Sequence, residues 1–179
     1  MENLLELLRT RRSIRKFKET QISPELVEQL MHAVLMSPAS KRSNPWQFIM
    51  VDEPEMLLSL SECKKNGSQL VGHAALAVVV VVDPERSDVW IEDASIASFV
   101  LHLEAEDLGL GSCWVQIRER RAADGEDSEV VVRRLLGIPE NLRVESMIAI
   151  GVKDELKNPF DESRLQWEKV HIGKFGQTK

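Results

Sequence analysis

The sequence predicts an α+β fold, a central mixed or antiparallel sheet flanked by helices. Three observations carry that reading. The apolar run "AALAVVVVV" at 74–82 ends in five valines, the pattern of a strand covered on both faces and therefore central. Residues 91–108, "IEDASIASFVLHLEAEDL", hold the longest helical pattern, with Gly109 standing where a glycine closes a helix. Strand and helix patterns interleave along 179 residues without the strict alternation of βαβ units.

The elements follow in order. Residues 3–11 read as a first helix. A second starts at Ser23-Pro24, a cap residue followed by the proline favoured at the first helical position, and Pro38 ends it. Its Leu26, Val27, Leu30, Met31, Val34 and Leu35 repeat at the spacing of one helical face. "QFIMV" at 47–51 is a strand, as are "CWVQI" and "VESMIAIGV", which are separated by a charged loop at 118–127 and a short helix closed by Gly137. In the 91–108 helix the stretch from Ala94 to Leu103 is apolar nearly all round, and a chain this short cannot cover it alone. A second subunit is expected there. The last 27 residues are polar but carry Phe160, Trp167 and Phe175, so this tail, about 153–179, is expected to wrap over a partner or its own core.

No period of 20 to 50 residues recurs, and the length fits one domain, residues 1–179, with 43% hydrophobic residues to build its core. No apolar run approaches the roughly 20 residues of a membrane span, and "MENLLELL" lacks the basic start of a signal peptide. The expectation is a cytoplasmic protein that binds neither membrane nor nucleic acid. Cys63 and Cys113 form no ligand spacing and are expected to be reduced. His102 and Glu104 point to different faces of their helix, so no metal site is expected.

"RTRRSIRKFK" at 9–18 puts six cations into ten positions of a chain with net charge -6. Three readings compete for Arg11, Arg12, Ser13 and Arg15. They could be a solvated run at a helix C-terminus, a nucleic-acid patch, or a grip for one phosphate monoester. The nucleic-acid patch is disfavoured by the acidic balance and the absence of tyrosine. The phosphate grip fits guanidinium geometry, and no P-loop or GxGxxG is present to hold an anion instead. Trp46 and Trp114 have a simpler reading as core aromatics.

"RRSIRKF", "SPASKRSNPWQF", "GLGSCWVQIR", "LLGIPENLRV" and "WEKVHIGKF" come in the order and spacing of the nitroreductase family, which the chain resembles from about residue 4 to 176. That resemblance implies a homodimer with FMN at its interface and a long helix in that interface. It also implies a flavin that takes hydride from NADH or NADPH and reduces an electron-poor small molecule, such as a nitroaromatic or quinone, in a ping-pong cycle. Carried over by position, Arg11, Arg12, Ser13 and Arg15 match the phosphate grip. Pro38, Ala39, Ser40 and Asn44 match a loop lying against the flavin, partly from the other subunit. Trp114, Val115 and Gln116 match the strand end near the isoalloxazine, and Arg164 a tail cation at the phosphate. No side chain is assigned as catalytic, because the chemistry belongs to the flavin. Arg42 and Asn44 depart from the family's usual Asn and Gln. Alternatives within the resemblance are a flavin-dependent dehalogenase, a dimethylbenzimidazole-synthase-like member, or a flavin-binding module without turnover.

Overall fold

The computed structural model describes residues 3–178. Five helices, α1 (Leu4–Thr10), α2 (Pro24–Leu35), α3 (Pro54–Ser61), α4 (Trp90–Asp107) and α5 (Ser128–Leu136), surround four strands, β1 (Trp46–Val51), β2 (Leu76–Val82), β3 (Gly111–Gln116) and β4 (Arg143–Gly151). The strands form one sheet in the order β1-β2-β4-β3, and every pairing is antiparallel. The valine run is central, as its pattern predicts: every residue of β2 is buried.

Alternation along β2 divides the core in two. Ala77, Val79 and Val81 face a layer containing Leu57, Leu60 and Val71 from α3 and the 3₁₀ turn after it, with Val132 from α5. Leu76, Val78, Val80 and Val82 face Leu30 and Val34 of α2 and Ala94, Ala97 and Leu101 of α4. The result is a helix-sheet-helix sandwich. Ser23 caps α2 through its side chain, Gly137 closes α5 in the left-handed conformation, and Gly109 follows α4 at φ 74°.

The helix α3 is not anticipated from the sequence. It is eight residues long, and its N-cap residue Glu53 makes no capping bond; Pro54 at its first position is the one local mark of its start. No helix among the described residues is long and apolar enough to cross a membrane.

Candidate functional site

The basic segment begins where α1 stops. Residues 12–18 leave Arg11 in extended form and lie across the ends of β3 and β4. Ile14 N–H donates to Ser112 O at 2.9 Å, and Lys18 N–H to Val152 O at 2.9 Å. Ile14 and Phe17 turn down into the core, which leaves the polar and charged residues between them outside. They can descend because two glycines, Gly111 and Gly151, pair across β3 and β4 directly beneath them. A Cβ on Gly111 would stand 2.8 Å from Ile14 Cγ2, and one on Gly151 2.9 Å from Phe17 Cδ1. Gly109 is therefore a helix stop and Gly111 a floor for Ile14.

Arg11, Arg12, Ser13 and Arg15 line a cavity of about 450 Å³ with Leu8, Phe160 and Lys157. Its lining has four cations, a hydroxyl and no carboxylate. Arg12 is steadied by donating to Asn158 O, and Arg15 N–H donates to Glu155 Oε1 at 2.6 Å. Glu155 is in turn paired with Lys157 at 2.7 Å, and these contacts hold its carboxyl below the usual range. Phe160 N–H donates to Arg9 O, which docks the start of the tail on α1. Lys157 is absent from the sequence reading because nothing in its polar stretch marks it. Arg164 sits in a tail turn, Glu162–Arg164, outside this lining.

Behind the cavity, His102 of α4 is buried with Nδ1 2.7 Å from Ser112 Oγ, on the residue whose carbonyl holds Ile14. Its ring lies parallel to that of Trp114, with centroids 6.4 Å apart. Burial, with the Arg11 charge added, pushes the imidazole down to about 4, so it is neutral at pH 7.

Trp114 and Gln116 lie half-buried on one side of β3, while Val115 between them is fully buried in the core. Val115 thus offers a ligand nothing beyond its backbone. Trp114 Nε1 donates to Gln116 Oε1 at 2.9 Å, and Gln116 Nε2 donates to Glu145 Oε1 at 2.9 Å and Glu145 O at 3.2 Å. Arg118 Nε stands 3.0 Å from the other Glu145 oxygen, an ion pair without hydrogen-bond alignment. Gln116 therefore serves to fix the indole, since its amide hydrogens are already engaged.

The loop after α2 has a different anchor. Pro38 is exposed, and Ala39 and Ser40 are half-buried. Ser40 N–H donates to Asp93 Oδ1 at 2.8 Å in the first turn of α4. Lys41, Arg42 and Asn44 all have positive φ, at 52°, 57° and 42°. Asp93 and His102 are nine residues apart on α4, about 14 Å along its axis, so the loop's anchor and the cationic cavity lie at separate levels of one chain. The structure joins the 11–15 segment to the end of β3 and leaves the loop apart.

The two thiols are free and buried, and burial pushes Cys63 up to about 11. Among the described residues no cluster of possible ligands could hold a metal.

Known proteins share this fold. A model of the Nitroreductase family matches residues 8–65 and 54–152. A protein of Archaeoglobus fulgidus, provisionally named an NADH dehydrogenase/NAD(P)H nitroreductase, is 36% identical over 98% of this chain and 100% of its own. A solved FMN-dependent nitroreductase from Clostridium difficile R20291 superposes with a TM-score of 0.94 at 42% identity, covering 96% of this chain and 100% of that one. An NADPH-flavin oxidoreductase of Vibrio harveyi is 28% identical over 92% of this chain and 71% of its own. The chain belongs to the Nitroreductase family, and its general function is that of an oxidoreductase.

Proposed function

We propose that this protein is a homodimeric, FMN-dependent oxidoreductase that takes electrons from NADH or NADPH and reduces an electron-poor small molecule of the nitroaromatic or quinone kind. One observation carries the reading: the cationic cavity has the donor set of a phosphate monoester site. A dianion would meet three guanidinium groups and a hydroxyl there, with the Lys157 ammonium at the edge already paired to Glu155 and no acid in the lining itself. The residues present therefore fit the FMN phosphate. Arg11, Arg12, Ser13, Arg15 and Lys157 would hold it, with Trp114 alongside and its indole fixed by Gln116.

Bound FMN would supply the redox chemistry, hydride transfer at its N5 between NADH or NADPH and the acceptor in a ping-pong cycle. The chain's own part is to bind, orient and exclude water. His102, neutral and behind Ser112, places no second positive charge against Arg11.

Two features support the dimer. The outer face of α4 presents Ile96 and Phe99, 43% and 42% exposed, beside the half-buried Val100 and Leu103. In the tail, Trp167 and Phe175 are 63% and 92% exposed. A second copy laid against α4 would cover these faces and bring a 38–45 loop toward the other chain's cavity. Two buried, unpaired thiols suit a reducing compartment, and we place the enzyme in the cytoplasm.

The test separates phosphate from flavin. Arg11→Ala or Arg15→Ala should each weaken FMN by about ten- to a hundred-fold, the worth of a charge-assisted hydrogen bond, and leave riboflavin nearly unchanged. Equal weakening of both ligands would remove these arginines from the phosphate. Anaerobic bleaching of the yellow protein by NADH or NADPH distinguishes an enzyme from a passive flavin holder.

A further inference from the structure

We infer that Asp93 is a positioning residue: its buried carboxylate clamps the 38–45 loop in a backbone conformation that the loop's own residues disfavour. The functional weight of this inference rests on the reading that the loop lies against the flavin.

Lys41 and Arg42 carry a Cβ and long side chains, yet both stand in the left-handed region, with Asn44 close behind. Asn is at ease there; Lys and Arg are not. Such backbone persists only where its surroundings over-determine it. The hydrogen bonds inside the loop, Arg42 N–H to Ala39 O and Ser43 N–H to Ser40 O, shape a turn but do not fix it to the protein. Lys41 reaches Asp88 at 3.5 Å, but both side chains are more than 70% exposed, so this pair holds little. At the far end, Pro45 O accepts from Asp83 N–H and leads into β1.

The near end is held by Asp93. The residue is 2% exposed and its carboxylate uses both oxygens: Oδ1 accepts Ser40 N–H at 2.8 Å, and Oδ2 accepts the hydroxyl of buried Ser87 at 2.7 Å. One side chain thereby ties three segments together: the loop, the 83–89 turn and the start of α4. The N-terminal end of the α4 dipole favours its charge at that position. A carboxylate in this place needs two donors aimed at it, and the loop supplies one of them only while Ala39 and Ser40 keep their present course.

Trypsin reads the loop directly, because Lys41 and Arg42 are exposed and are themselves cleavage sites. Asp93→Ala in the full-length protein with FMN added should speed cleavage after residues 41 and 42 by about tenfold or more, as expected when a local opening loses two charge-assisted hydrogen bonds. Other sites should be cut at wild-type rates. Asp93→Asn keeps an acceptor for Ser40 and an amide for Ser87, and should restore slow cleavage. If the alanine variant does not fold, Ser87→Ala removes one of the two contacts and should give an intermediate rate. Wild-type cleavage in Asp93→Ala, or in Ser87→Ala where that variant stands in for it, overturns the clamp, as does failure of Asp93→Asn to rescue. FMN affinity measured on the same samples separates the two claims. Faster cleavage with weakened FMN supports both, whereas faster cleavage with unchanged FMN keeps the clamp and overturns the placing of the loop against the flavin.

Discussion

His102 shows how a single side chain can set an acid limit on the fold. Its ordinary value of 6.5 falls to about 4 in the folded state through burial, with a smaller contribution from Arg11. As pH drops below 6.5 the unfolded chain takes up the proton first, so folding loses stability from about pH 6.5 down to about pH 4 and loses no more from this group below that. The slope is at most about 1.4 kcal/mol per pH unit. Denaturant unfolding of wild type and His102→Asn should therefore diverge by roughly 2 kcal/mol between pH 7 and pH 5, with wild type falling faster. A constant gap across that range would contradict the burial account. The sequence treats this histidine only as a failed metal ligand, because its partners Ser112 and Trp114 come from a strand whose placement beside α4 no local pattern reveals. Lys157 lies in a polar stretch with no pattern of its own, and only the folded tail sets it beside the arginines. The arginines were legible because six cations in ten positions of an acidic chain demand a counter-charge.

Among elements, the 12–18 segment depends most on what lies under it. Gly151→Ala should push Phe17 and the segment away from the sheet, at a cost of about 1–3 kcal/mol in stability for overpacking. It should also weaken FMN by about tenfold, since the cavity residues ride on that segment. Gly125→Ala is the control: its φ is 93° but its Cβ would meet nothing within 4 Å, so backbone strain should appear without loss of flavin affinity. Equilibrium unfolding and flavin fluorescence quenching check both. Elements with a full apolar period, α2, α4, α5 and β2, were readable to within a residue or two. The helix α3 was not, because three leucines in eight residues leave one of them, Leu58, exposed, and no side-chain cap announces the start.

For the whole molecule, the α+β class and the helix-covered sheet followed from the run of valines and the missing βαβ alternation. The two levels of the site did not, since that separation belongs to the length of α4 and appears only when the helix is folded. If the outer face of α4 is the seat of a second copy, Phe99→Asp should split the protein into monomers and lose FMN with them, read by sedimentation at micromolar concentration. A stable monomer that keeps its flavin would sink both the interface and the shared site.

The distance between the loop anchor at Asp93 and the cavity near His102 has a genetic consequence. In the proposed dimer each site draws its arginines from one chain and its loop from the other. A strain carrying one allele damaged at Arg11 and another damaged at Asp93 would then make two inactive homodimers and one mixed dimer. In that mixed dimer one site inherits both lesions and the other inherits neither. With random pairing about a quarter of all sites would be whole, so two null alleles would complement each other within a single gene.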